Sequence, residues 1–536
     1  MLVRLFRYWR CTLLSFGVLA VAVFLFPHMM PGHHLQFYES WPSHPQQRAR
    51  LTNDYRFDRM LPLQGMRWMQ RLLTGQWGAS RYSQRPVFDE CWPALLRTGL
   101  LLLWTLLACG LGIGSLWCLS RLAPWVLELI PHAFLLRVLA ALPGFLAAIL
   151  VRELLLWPLG WAGILSLPLV GPSYVFHPAY MFLPASFCAL LPLRLWYDLP
   201  CMAPDQPWTV RQRWHRVRTA FHPYLNVFLL DVTLTEYVYT FPGLGSLGIK
   251  ALQQRDLPLV QGFILCMGGL YLVLRGLCEA HHAPALSVHT PSAPPATTTV
   301  YRSCWCLLLL GLLTLWAPWL AGYEPTVIHS RDQHLPPGYR YVLGTDFLGR
   351  DVLSRTMQGL RHALPRVLVL ASISGGLSWA VLWSLSRSQR WTRLLWDGGR
   401  LVSSALPSFV LAFMVFLLCE QQPWALEIAL ILACLPMGLH NVTPQATWLQ
   451  RMTHLTQLGG WLVLLDVTFA FVHLSPDSFV PTWGSELRHG MHYGRINSWM
   501  LLAPSAAIVW SRYSVSQLPD SVACVPSSAL CGHRGA

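Results

Sequence analysis

Five stretches of this chain, 11–30, 98–120, 303–323, 367–386 and 401–419, contain no charged residue. About 20 predominantly apolar residues as a helix span the hydrocarbon core of a bilayer. A helix is suited to it because it pairs every backbone N–H and C=O within the segment. The composition has the same origin. Hydrophobic residues make up 54% of the 536 residues and Asp, Glu, Lys and Arg only 12%, against roughly 25% charged in a soluble domain. The fold class is therefore an all-α polytopic membrane protein. A soluble enzyme, a disordered chain and a disulfide scaffold are excluded.

The formal net charge is +15, and Lys250 is the only lysine. Basic loops suit anionic lipid headgroups, so membrane lipid is the expected partner of this charge. A nucleic-acid surface would need a basic soluble domain, which the sequence lacks. The 14 cysteines form no CxxC, and Cys109, Cys118, Cys188, Cys266 and Cys434 sit in apolar runs. Small buried hydrophobes account for them better than disulfides or metal ligands. His33-His34 and His489-x-x-His492 lack further ligands at tight spacing, so no metal site is expected. Gly243-x-Gly245-x-x-Gly248 follows an apolar span rather than a strand, and no Gly-Lys-Ser/Thr loop exists. No nucleotide cofactor is expected on this chain.

The N-terminus carries Arg4, Arg7 and Arg10 before an apolar run that ends without a small-x-small cleavage site. It reads as an uncleaved first span with a cytoplasmic N-terminus. Twelve spans are expected. Six lie near 11–30, 98–120, 134–156, 179–196, 222–241 and 257–275. Six more lie near 303–322, 366–386, 401–419, 424–440, 457–474 and 498–514. Residues 281–301 have the Pro/Ala/Thr composition of a linker. It divides a first half, 1–280, from a second, 302–536. Even span numbers put both termini and the linker on the cytoplasmic face. Segment 31–97 then lies outside, with 57–75 as an amphipathic helix, because Met60, Leu61, Trp68, Met69, Leu72 and Leu73 form an apolar stripe.

The halves repeat each other. Leu229-Leu230-Asp231-Val232-Thr233 recurs as Leu464-Leu465-Asp466-Val467-Thr468, an offset of 235. Leu142-Pro143-Gly144-Phe145 recurs as Leu406-Pro407-Ser408-Phe409, an offset of 264. Two six-helix repeats of this kind build a transporter around an axis along the membrane normal. Carboxylates inside spans face a pathway or a partner, because ionised groups in hydrocarbon are costly. Asp231, Glu236 and Asp466 are the candidates for a translocation path. Thr235 joins them, four residues on from Asp231 and on the same helix face.

Longer motifs carry a family resemblance. Val342-Leu343-Gly344-Thr345-Asp346-Phe347-Leu348-Gly349-Arg350-Asp351-Val352-Leu353-Ser354-Arg355 resembles the LGTD-x-x-GRDVLSR segment of dipeptide/oligopeptide/nickel-type ABC importer permeases of the second-subunit type. Pro481-Thr482-Trp483-Gly484 resembles that subunit's P-x-WG loop. In the first half, Phe57 to Pro62 and Arg67 to Gly75 resemble the external segment of the partner subunit. Glu236 to Gly245, with Pro242, Gly243 and Gly245, resembles its ET-x-F-x-x-PGLG, and Arg255 to Gly262 its RDYPVVQG.

The resemblance implies two permease subunits fused in one chain, working by alternating access in the bacterial inner membrane. It also implies ABC ATPase subunits on the cytoplasmic face and a periplasmic solute-binding protein outside. The chain itself would be no enzyme. Peptides or similar small solutes are the implied cargo, with a nickel or other metal complex as the alternative. The family's EAA-x-x-x-G coupling helix has no counterpart here. Trp208, Arg211, Arg213, Arg216 and Arg218 are the remaining coupling-loop candidates, beside Pro200, Pro204 and Pro207. Without coupling, the chain would be a degenerate permease acting as a membrane scaffold.

Overall fold

A computed structural model of the chain describes residues 2–29, 60–122, 142–156, 224–279, 297–387, 405–419, 424–441, 448–474, 480–494 and 496–523, with a few single positions besides. Among them are fourteen α-helices and no strand. The first half has α1 (Leu2–Met29), α2 (Leu61–Leu73), α3 (Val87–Leu122), α4 (Gly144–Val151), α5 (Leu225–Val238), α6 (Leu244–Gln254) and α7 (Leu257–Glu279). The second has α8 (Thr297–Leu320), α9 (Val352–Arg387), α10 (Ser408–Cys419), α11 (Ala425–Asn441), α12 (Trp448–Phe471), α13 (Trp483–Tyr493) and α14 (Trp499–Ala523). A π-helical turn, Arg152–Leu156, extends α4. The amphipathic helix expected over 57–75 is α2. It starts later, behind an extended Met60 and with Pro62 in its first turn, where a missing N–H is harmless.

Among the described residues, Val87–Gly112, Leu257–Cys278 and Val352–Val381 are long and apolar enough to cross a membrane. Leu13–Met29, Leu308–Ala317, Ser408–Cys419 and Ala425–Leu435 are shorter apolar helices. Linker residues 281–296, most of the expected span 179–196 and the coupling-loop candidates Trp208, Arg211, Arg213, Arg216 and Arg218 lie outside the described residues, whereas 297–301, expected as linker, already belong to α8.

The halves share a packing scheme. In the first, α1 packs on α7, α7 on α3 and α6, and α5 on α6. In the second, α8 packs on α14, α14 on α9 and α13, and α12 on α13. One apolar core runs through both, from Leu19 and Phe145 to Phe413, Phe469 and Ile508.

The turn before each long helix is duplicated as well. Thr345 bridges to Asp351, and Ala79 bridges to Pro86 in the same antiparallel way. Val352 N–H donates to Gly344 O (3.1 Å) and Val87 N–H to Gly78 O (2.9 Å). Asp346 N–H donates to Arg350 O and Ser80 N–H to Arg85 O, both at 2.9 Å. Each turn needs left-handed backbone at two places: Gly344 (φ 74°) and Gly349 (φ 77°), and Gly78 (φ 93°) and Gln84 (φ 57°). In sequence the repeat keeps only the leading glycine and a closing Arg-x-Val, Arg85-Pro86-Val87 against Arg350-Asp351-Val352.

Gly349 also meets the carbonyl of His329, which a Cβ would overlap. Gly349→Ala is expected to destabilise the protein by at least about 2 kcal/mol, with roughly 1–2 from left-handed strain alone. Gln84→Gly, at the equivalent place, should be neutral or stabilising for the same reason. Thermal unfolding in detergent distinguishes them, and equal losses would refute the strain argument.

Candidate functional site

The candidate site is the seam where the halves meet, and α5 is its central element. Asp231 on α5 accepts from Phe145 N–H (3.5 Å) at the start of α4. Asn226, also on α5, accepts from Ser408 N–H (3.1 Å) at the start of α10. The duplicated Leu-Pro-Gly/Ser-Phe segments are thus both held at their helix N-termini by one helix. Free N–H groups there demand acceptors. Phe471 of α12 closes the seam, with ring centroids 6.0 Å from both Phe145 and Tyr237. Gln253 Nε2 also crosses it, donating to Val472 O (2.9 Å).

Asp231 and Asp466 are both buried, at 7% exposure each, but their surroundings differ. The charge facing Asp231 is Arg512 of α14, from the other half. Asp466 pairs with Arg366 Nη1 of α9 (3.2 Å), within its own half. Arg366 Nη2 also holds Glu427 of α11 (2.7 Å). The repeated aspartates therefore occupy equivalent sequence positions without equivalent partners.

Thr235 and Glu236 are completely buried. The Glu236 carboxylate is occupied by the start of α6. It accepts from Gly245 N–H (2.7 Å), Ser246 N–H (3.3 Å) and the Thr98 hydroxyl (2.6 Å). Thr98 in turn accepts from Leu244 N–H (2.8 Å). A Cβ on Gly243 would overlap that carboxylate, and one on Gly245 would meet the backbone of Thr233. The Pro242-Gly243-Leu244-Gly245 motif lets α6 fold back tightly onto α5. Gly484 does the same in the second half, against the Val467 carbonyl, with Thr482 and Ser485 forming a capping box.

The remaining motif residues hold the loops around the seam together. Asp346 accepts from Leu348 N–H (2.9 Å) and Arg350 N–H (2.8 Å), and pairs with Arg350 Nε at 2.7 Å. Thr345 donates to Asp332 O. Asp351 caps α9 through Ser354 N–H (2.7 Å). Arg355 grips Glu486 of α13 through Nη2 (2.6 Å) and Nε (3.1 Å), with its other nitrogen on Pro325 O (2.8 Å). Burial alone would raise the Glu486 carboxyl, but Arg355 outweighs it, and with His489 alongside the group falls to about 2.

The first half fastens its turn differently. Asp256 accepts from the Ser80 hydroxyl (2.6 Å) and Arg81 N–H (2.8 Å), and its other oxygen takes Leu259 N–H (3.3 Å) in α7. Asn497 plays both parts in the second half. It donates to Thr345 O (2.8 Å) and accepts from Trp499 N–H (3.2 Å) in α14. This explains the chemistry of the Arg-Asp-x-Pro motif: one carboxylate caps the last helix and pins the loop.

Sequence reading does not select Asn226, Arg366, Glu427, Arg512 or Glu486. Arg366 and Glu427 carry one available signal, since both are charges at the edge of expected spans. Nothing local marks Asn226, whose role depends on a helix 182 residues away.

No family model matches the chain. Two relatives illustrate its similarities. A "Glutathione transport system permease protein GsiC" of Salmonella paratyphi A is 26% identical over 292 residues, covering 50% of this chain and 92% of the relative. A "Probable D,D-dipeptide transport system permease protein DdpC" of Escherichia coli K12 is 23% identical over 263 residues, covering 42% of this chain and 86% of the relative. Each relative is matched over most of its length by half of this chain or less, so 536 residues have room for two such components. The chain is a helical membrane protein homologous to the permease components of peptide, dipeptide and glutathione ABC transport systems.

Proposed function

We propose that the chain is the complete membrane-spanning part of an ATP-driven importer for peptides or similar small solutes, with both permease subunits fused. The observation that carries this is the seam. Two copies of one helix arrangement meet there, and α5 holds the start of the duplicated helix in each. A rocking motion of one half against the other is what alternating access requires of such a pair. ATP hydrolysis falls to separate ABC subunits at the cytoplasmic loops, with Trp208 to Arg218 as their docking segment. A periplasmic binding protein delivers solute at the opposite face, where the 344–351 loop lies. Both termini are cytoplasmic in this reading, and the membrane is the bacterial inner membrane. Relatives named for dipeptide and glutathione transport favour a peptide over a nickel complex.

The test is purification of the chain from its native membranes, followed by reconstitution. Bound ATPase subunits and ATP-dependent uptake of labelled dipeptide are expected. Absence of any bound ATPase would favour the scaffold alternative. In the same reading, Asp231 and Asp466 flank the path. Cysteine at either position, in a Cys-depleted background, should react with a small water-soluble thiol reagent in at least one nucleotide state. Resistance at both positions in every state would remove them from the path.

A further inference from the structure

Away from the seam, two buried cysteines meet on neighbouring helices. The helices α3 and α7 pack together, and Gly262 marks their close approach. A Cβ there would fall 2.8 Å from Cys91 Sγ and against Val87 as well. Val87 and Cys91 are one turn apart on α3. Cys266 is one turn beyond Gly262 on α7, so it lies on the same helix face. The Cys91 and Cys266 thiols lie close enough to act on one another. Both side chains are buried and both are free thiols in this structure. Small residues at a helix crossing let backbones approach closely, and a disulfide needs Cα atoms within about 7 Å of each other. Cysteines lying 175 positions apart in sequence are thereby brought together on a crossing that a glycine keeps tight.

We propose that Cys91 and Cys266 form a disulfide that staples α3 to α7. The proposal rests on the reading that segment 31–97 is external. Cys91 falls within this segment, one turn into α3, so the pair would sit near the face where oxidants act. The oxidant is a protein disulfide of the extracytoplasmic compartment. The Cys91 thiolate attacks it, forming a mixed disulfide and releasing one oxidant thiolate. The Cys266 thiolate then attacks the Cys91 sulfur, forming the new S–S bond and releasing the second. Overall two thiols lose two protons and two electrons, and the oxidant disulfide becomes a dithiol. Exchange takes place during folding, before α7 seals against α3. Afterwards burial shields the bond from reductants.

The natural full-length chain provides the test. It is extracted from membranes under acid quench, alkylated and digested with trypsin without reduction. The tryptic peptides 82–97 and 256–275 contain one cysteine each, Cys91 and Cys266. The expected result is a linked species at their combined mass less two hydrogens, which separates on reduction. Recovery of both peptides alkylated, with no linked species, overturns the proposal. Topology is tested separately with Tyr82→Cys, an exposed position on the preceding turn, and a membrane-impermeant maleimide. Labelling in intact cells together with an absent linked peptide defeats the disulfide alone. Labelling only after permeabilisation defeats the topology reading, and the proposal with it.

Discussion

Replacing Arg355 with alanine is expected to destabilise the protein by about 3–5 kcal/mol, the cost of leaving a buried charge without its partner. The partner is Glu486, held through two guanidinium nitrogens and 4% exposed. Arg355→Lys should recover only part of the loss, because an ammonium cannot reproduce the fork. The double variant Arg355→Met with Glu486→Leu should recover most of it, since a well-packed apolar pair can replace a buried ion pair. A double variant as unstable as the single ones would show that the pair does more than neutralise itself.

Acid should have the same target. The Glu486 carboxyl lies at about 2 against an ordinary 4.5. A group with a lowered folded pKa contributes stability above its unfolded value and loses it as pH falls through the folded one. The contribution is about 3 kcal/mol at neutral pH, by linkage. It should fade between about pH 4.5 and pH 2. Unfolding of the wild type and of Glu486→Gln across that window tests this. The variant should lack this component of the acid sensitivity.

Arg366→Ala is the second large effect. Arg366 bridges Glu427 and Asp466 across three helices, α9, α11 and α12. Its removal leaves two carboxylates in an apolar region, each worth about 3 kcal/mol if it remained charged at the centre of a membrane helix. Side-chain exposure of 25% for Arg366 and 37% for Glu427 lowers the net cost to about 2–3 kcal/mol. Transport by the protein that stays folded should fall as well, because the triad ties three helices of one half together. Adding Glu427→Gln and Asp466→Asn to Arg366→Ala should restore stability. If uptake stays low while stability returns, the charges serve the transport cycle as well as the fold. If Arg366→Ala is stable and active, the triad is dispensable.

The repeat was readable where it lay in side chains, in Leu-Leu-Asp-Val-Thr and Leu-Pro-Gly/Ser-Phe. It was not readable in the turn before each long helix. There the repeated quantity is backbone conformation, which Gly344 and Gly349 supply in one copy and Gly78 and Gln84 in the other. Backbone hydrogen bonds fix the turn, so most of its side chains were free to diverge. Asp256 and Asn497 show a similar divergence: a carboxylate and an amide cap the last helix and pin the loop in their respective halves.

Apolar runs of bilayer length decided by themselves that this chain is helical and membrane-bound, because hydrocarbon admits few other backbones. The order of motifs along 536 residues likewise decided its kinship. Partnership was decided only by the tertiary structure. A carboxylate inside a span announces that it needs something, and sequence does not say what. Glu236 is taken up by the backbone of α6, Asp466 by an arginine of its own half, and Asp231 by a helix start and an arginine from across the seam. Those outcomes depend on which helices lie within a few ångströms, a property of packing between segments up to hundreds of residues apart.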